Sequence, residues 1–140
     1  MPVILQARKE IAIRFSEVDA LRMVWHGHYL RYFEDGREDF GLQHGLGYLD
    51  VHAQGFLIPL VKADLDYKRQ LKYGDVAIVE TSYRDSPAAK LIFDYRILNK
   101  KDDSVVCTGH SIQVFLNLEG ELQLNTPDFF SAWKKKVGLI

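Results

Sequence analysis

A single cysteine, Cys107, stands among 140 residues. No internal disulfide is possible, which sets aside the cross-linked secreted scaffold and suits a reducing compartment. A charge excess is missing too: 18 basic and 19 acidic side chains leave a formal net charge of -1. Electrostatics therefore give no reason to expect nucleic acid or an acidic membrane surface as a partner. No uninterrupted apolar run approaches membrane-spanning length, and the first ten residues have no basic stretch followed by an apolar one. Nor is there a Gly-x-Ser-x-Gly step to support a serine-hydrolase triad. Repeats, low-complexity tracts and linkers are also absent. The expectation is a soluble cytoplasmic protein without membrane insertion, folded as one domain over residues 1–140.

What is present is a clear succession of periods. Ile11, Ile13 and Phe15 alternate with Ala12 and Arg14, which predicts a half-buried strand over Glu10 to Phe15. A dense polar and aromatic stretch, Ser16 to His28, follows. From about His28 to His44, Tyr29, Phe33, Gly36 and Phe40 fall four, three and four apart and share one helical face. Gly36 on that face costs about 1 kcal/mol relative to alanine, so another backbone is expected to approach closely there. Gly41, Gly45 and Gly47 mark the helix end and a turn-rich loop.

The second half reads as strands. Val61, Ala63, Leu65 and Tyr67 alternate with Lys62, Asp64 and Asp66. Asp75 to Tyr83 is rich in β-formers. Leu91, Phe93, Tyr95 and Ile97 alternate, and Val106, Thr108, His110, Ile112, Val114 and Leu116 are taken as the next alternating set. Asn99 to Asp103 and Leu118 to Glu121 read as tight connections. A short terminal helix has Thr126 as its expected N-cap, Pro127 in its first turn, Lys134, Lys135 and Lys136 near its end and Gly138 as its stop. Short connections imply antiparallel neighbours, and one long helix against such a sheet is an α+β architecture.

The stretch Arg14-Phe15-Ser16-Glu17-Val18-Asp19-Ala20-Leu21-Arg22-Met23-Val24-Trp25-His26-Gly27-His28-Tyr29 resembles the N-terminal signature of the 4-hydroxybenzoyl-CoA thioesterase family, which includes the acyl-CoA thioesterases associated with the Tol-Pal system. Phe15, Glu17, Asp19, Ala20, Val24, Trp25, His26 and Tyr29 fill the family's places. Tyr32, Phe33 and Arg37, then Tyr67 and Tyr73-Gly74-Asp75, extend the likeness to about Leu116. Two departures stand out: Leu21-Arg22 replaces a step that often contains glycine, and the first acid is Glu17 rather than Asp. The resemblance implies a hotdog fold, one long helix wrapped by a curved antiparallel sheet of about five strands. It also implies a homodimer or homotetramer with sites at the subunit interface, an acyl-CoA thioester as substrate, and no cofactor.

Thioester hydrolysis needs an activated nucleophile and a place for the negative charge that develops on the carbonyl oxygen. A carboxylate can attack directly or deprotonate water, and unpaired N–H groups at a helix N-terminus can receive the oxyanion. The resemblance makes Asp19 the catalytic carboxylate; the plainer role of an Asp before a helix is a turn or cap. His26 is carried over as a catalytic residue, acting chiefly through its backbone N–H; it can equally anchor the helix start. Gly27, Tyr29, Ile58 and Pro59 are expected to line the substrate site, with Ile58-Pro59 facing Asp19 of a neighbouring subunit. His26-Gly27-His28 with Asp19 lacks a completing set of ligands, so no metal is expected. Lys68 and Arg69, with Lys72 close behind, read as a solvated strand edge unless they converge, in which case they suit the phosphates of CoA. Cys107 reads as an inert buried side chain. The competing function is a non-catalytic hotdog module that binds an acyl or aromatic ligand; hydratase chemistry on the same fold is a third.

Overall fold

The computed structural model describes residues 5–140. Strand β1 (Gln6–Ala12) leads through a 3-10 turn at Phe15–Glu17 to the long helix α1 (His28–His44) and a short helix α2 (Tyr48–Ala53). Strands β2 (Phe56–Leu57), β3 (Leu60–Tyr67), β4 (Val76–Arg84), β5 (Lys90–Asn99), β6 (Ser104–Val114) and β7 (Leu116–Asn117) follow, and helix α3 (Asp128–Lys136) comes last. Five strands form one sheet in the order β1-β4-β5-β6-β3. Every pairing in it is antiparallel, as the short connections require. β2 and β7 make a separate two-stranded ladder. That ladder and α2 were not anticipated, being too short for a period to register.

Helix α1 lies across the sheet because its apolar stripe has somewhere to go. Tyr29, Tyr32, Phe33 and Phe40 are all within 2% of full burial. Phe33 stacks on Tyr95 with ring centroids 4.4 Å apart, and Phe40 meets Phe93 edge-on at 5.1 Å. Helix and sheet approach closely at Gly36, through side chains of β4 rather than the expected backbone: a Cβ there would stand 2.5 Å from Thr81 Oγ1 and 2.7 Å from Val79 Cγ1. The helix's buried cation is Arg37. Its Nε donates to Gln113 Oε1 at 2.9 Å and its Nη2 to the Leu46 carbonyl at 3.0 Å. The guanidinium also lies 4.6 Å from the Phe93 ring centroid and 5.1 Å from that of Tyr48. Helix, sheet and α3 together give the long helix, five-stranded antiparallel sheet and short C-terminal helix expected of the hotdog arrangement.

Three sequence expectations need correction. The first strand runs Gln6–Ala12, earlier than expected. Its ladder ends where the Arg14 N–H turns to the Glu17 carboxylate at 2.8 Å; Phe15 therefore projects outward, 75% exposed. Of the expected set in β6 only Val106 is buried; beyond it the inward face is carried by Cys107, Ser111 and Gln113, not by Thr108, His110 and Ile112. The inner row is partly polar because its partners are: Ser111 Oγ and Tyr95 Oη are 2.8 Å apart, and Gln113 serves Arg37. Finally, Pro127 rather than Thr126 occupies the N-cap of α3 and supplies no side-chain cap. Burial of Phe130 and Trp133 holds that helix, helped by Lys134, whose Nζ reaches the Ser86 carbonyl and Asp85 Oδ1 at 2.9 Å each.

Candidate active site

The stretch between β1 and α1 folds as a small closed ladder. Val18 and Val24 form an antiparallel bridge. Around it, Asp19 N–H donates to the Met23 carbonyl at 2.9 Å and Trp25 N–H to the Glu17 carbonyl at 3.0 Å. Val24 N–H ties the ladder to the Leu71 carbonyl at 2.8 Å. Beneath it sits Glu17, 2% exposed. One carboxylate oxygen accepts the Arg14 N–H; the other lies beside the Tyr32 hydroxyl but outside hydrogen-bond geometry. Burial first, and then the Glu17 charge, push the Tyr32 hydroxyl pKa up.

Asp19 stands at the tip of this ladder, partly exposed. Its Oδ1 accepts the Leu21 N–H at 2.8 Å, an Asx turn. Arg22 completes the turn in the left-handed region at φ 67°, the conformation in which glycine carries no Cβ penalty. The Leu21-Arg22 departure is thus absorbed by the backbone, and it adds a cation next to Asp19. Phe15, Val18, Asp19, Arg22, Lys72 and Tyr73 line a groove of about 480 Å³. Its apolar wall is made by Phe15 and Tyr73, whose rings meet edge-on at 5.8 Å.

The other end of the ladder delivers the helix N-terminus. Gly27 is the N-cap of α1 and has no side-chain cap. The N–H groups of His26 and Gly27 donate to no backbone carbonyl among the described residues, leaving them available to an acceptor. A Cβ on Gly27 would overlap the Trp25 ring, so glycine is what lets that ring fold back over the helix start. The His26 ring is exposed, and its carbonyl accepts the Tyr67 hydroxyl at 3.0 Å. Tyr29 is buried, its hydroxyl accepting the Leu71 N–H at 3.3 Å, and burial raises its pKa.

One chain therefore brings Asp19, His26, Gly27 and Tyr29 to the same end of α1, although His26 does not line the Asp19 groove. Ile58 and Pro59 lie elsewhere. The Ile58 carbonyl accepts from Gln113 Nε2 at 2.9 Å, and Gln113 bonds Arg37, nine residues after His28 and so about 13 Å along the helix axis. Neither residue lines the Asp19 groove of its own chain. Sequence reasoning missed Arg22 and the Phe15–Tyr73 wall. Only the missing glycine step pointed to the first, and the second joins segments nearly 60 residues apart, a separation no local period records.

Residues 13–134 match the Thioesterase-like superfamily. The chain belongs to that superfamily. A relative in Bacillus subtilis (strain 168), named "Putative acyl-CoA thioesterase YneP", is 32% identical over 92% of this chain and 96% of its own length. Among solved structures, the DHNA-CoA thioesterase from Staphylococcus aureus superposes with a TM-score of 0.83 at 25% identity, covering 96% of this chain and 92% of that one. The 1,4-dihydroxy-2-naphthoyl-CoA thioesterase Slr0204 from Synechocystis superposes at 0.80 over 91% and 94% of the two chains. At 18% identity that last likeness speaks for the hotdog fold alone. A shared scaffold does not by itself fix the chemistry, which has to be argued from the site built on it. Among the described residues no helix is long and apolar enough to cross a membrane.

Proposed function

We propose that this superfamily member is an acyl-CoA thioesterase, in which Asp19 acts on the thioester carbonyl and the N-terminus of α1 receives the oxyanion. The observation that carries the reading is the motif ladder. It ties the arm bearing Asp19 to the arm bearing His26 and Gly27, so that a carboxylate and free backbone donors share one end of the helix. In the direct route, a carboxylate oxygen of Asp19 bonds to the carbonyl carbon, the C–S bond breaks and the thiolate leaves to take a proton. Water then cleaves the resulting anhydride, returning the carboxylate and releasing the acid. In the alternative route, Asp19 takes a proton from water as that water attacks. Both consume one water and yield one acid and one thiol.

Within the superfamily, the 4-hydroxybenzoyl-CoA type is the assignment favoured by the motif. One hotdog domain is taken to account for residues 1–140, working in a reducing cytoplasm. The exposed apolar side chains of edge strand β3, Leu60 and Val61, support a homodimer joined there. Ile58 and Pro59 of a second copy would then complete the acyl pocket opposite Asp19. The test is thiol release over a panel of aliphatic and aromatic acyl-CoAs. Turnover above the buffer rate supports the hydrolase. Saturable acyl-CoA binding with no thiol released supports the binding module instead.

A further inference from the structure

The turn that carries Asp19 departs from the family pattern at Leu21-Arg22. Arg22 N–H donates to the Asp19 carbonyl at 2.9 Å, so the two residues open and close one β-turn and their Cα atoms lie within about 7 Å. Arg22 is held at φ 67°. Glycine takes that conformation freely, whereas an arginine meets a steric penalty in it. Nothing in the turn calls for the side chain, because its hydrogen bonds are made by the backbone and by Asp19 Oδ1. A strained residue beside a reactive group points to a use for its side chain. No carboxylate of the chain supplies that use: the side chain is exposed, and among the described residues Arg22 enters no ion pair.

The groove it borders has three charged lining residues, Asp19, Arg22 and Lys72, beside the apolar surface of Phe15, Val18 and Tyr73. Lys72 also stands outside every ion pair of the described residues. Two cations against one carboxylate leave the groove open to one further anion. In an acyl-CoA the pantetheine arm keeps the phosphates far from the thioester. An anion that reaches Arg22 while the carbonyl reaches Asp19 therefore belongs to the acyl group. We propose that Arg22 is a specificity-determining residue that receives a carboxylate at the far end of the acyl group, selecting monothioesters of short dicarboxylic acids; the inference rests on Asp19 acting at the thioester. The guanidinium presents two parallel N–H donors to such a carboxylate. It also offsets the repulsion between that carboxylate and Asp19, which would otherwise exclude anionic acyl groups. The single turn between Asp19 and Arg22 limits the span from carbonyl to carboxylate to a few methylenes, and the Phe15 and Tyr73 rings give these an apolar wall.

Glutaryl-CoA and pentanoyl-CoA carry acyl chains of equal length that differ at the far end, a carboxylate against a methyl group. Wild-type protein should hydrolyse glutaryl-CoA with the higher kcat/KM. Arg22→Gly removes the charge and relaxes the turn; Arg22→Gln removes the charge and keeps the turn under its steric penalty. Both should lower the ratio of the two kcat/KM values about tenfold, the scale of one lost charge-assisted contact. A wild-type preference for pentanoyl-CoA, or a wild-type ratio kept by either variant, would overturn the role of Arg22. Calorimetric titration of the unreactive thioethers S-carboxybutyl-CoA and S-pentyl-CoA into the full chain makes the same comparison without catalysis. Wild-type protein should bind the carboxylate about tenfold more tightly and both variants should lose that margin; equal wild-type affinities would sink the proposal. If no thiol is released from any ester, the thioethers still decide: a margin that depends on Arg22 keeps the carboxylate site and removes only the hydrolase reading.

Discussion

At the scale of single residues, Asp19 has both of the roles its sequence context allows. Oδ1 holds the Leu21 N–H and shapes the turn; the carboxylate as a whole borders the groove. This overlap decides which substitution is informative. Asparagine keeps a carbonyl oxygen that can accept from Leu21, so Asp19→Asn should leave the ladder intact and remove only the charge. Alanine would lose both and confound them. Asp19→Asn is expected to bind acyl-CoA as the parent does and to hydrolyse it about 10²-fold more slowly or worse, the usual scale for a positioned acid or base. The loss should fall in kcat with KM little changed. A folded Asp19→Asn protein that turns over at the parent rate removes Asp19 from the chemistry. A single turnover in oxygen-18 water then separates the routes, since label entering Asp19 marks the anhydride. Cys107 offers a contrasting case. Burial pushes its thiol up to about 11, so at pH 8 the side chain is overwhelmingly the neutral, unreactive form. Folded protein should resist iodoacetamide at pH 8 and label only when denatured; rapid labelling of the native state would show an accessible thiolate.

At the scale of elements, α1 was legible almost to the residue, because seventeen residues give a 3.6-residue period room to declare itself. β5 was equally clear: its inward residues Leu91, Phe93, Tyr95 and Ile97 are all apolar or aromatic and all buried. β6 misled for a physical reason. Its inward row includes Ser111 and Gln113, chosen to satisfy Tyr95 and Arg37, so hydrophobicity marked the wrong face. The Asp19 turn was found through its motif, whereas its groove depends on Tyr73 arriving from a distant connection. Gly36 was a local anomaly that forecast a close approach, although side chains of β4 and not a backbone make it. Its test is Gly36→Ala, which gains helix propensity yet places a methyl against two branched side chains of β4. Net destabilisation of about 1–3 kcal/mol is expected from overpacking, read as a lower midpoint in urea. Val79→Ala in the same chain should recover part of that loss, giving a favourable coupling in the double-mutant cycle. Strict additivity would mean that the two residues do not share the contact.

At the scale of the whole molecule, the question is what covers β3. The sheet ends at β1 on one side and β3 on the other, and an open edge presents unpaired backbone groups to any other strand. Leu60, Val61 and Tyr67 on β3 are 42%, 58% and 52% exposed, a costly arrangement for an edge facing only water. Pairing β3 with its counterpart in a second copy would close both edges through one two-fold contact. It would also carry Ile58 and Pro59, just before β3, toward the other copy's Asp19. Light scattering at micromolar concentration should therefore return at least twice the mass of one chain. Val61→Lys sets like charges against each other across the two-fold. It is expected to shift the protein toward monomer and to cost most of the activity, while circular dichroism stays unchanged. Ile58→Trp leaves the edge alone and should keep the dimer, but shift acyl preference toward shorter chains. The pair separates assembly from pocket shape. A monomeric Val61→Lys protein with full activity would show that each chain holds a complete site, and an unchanged acyl profile in Ile58→Trp would place the pocket wall elsewhere.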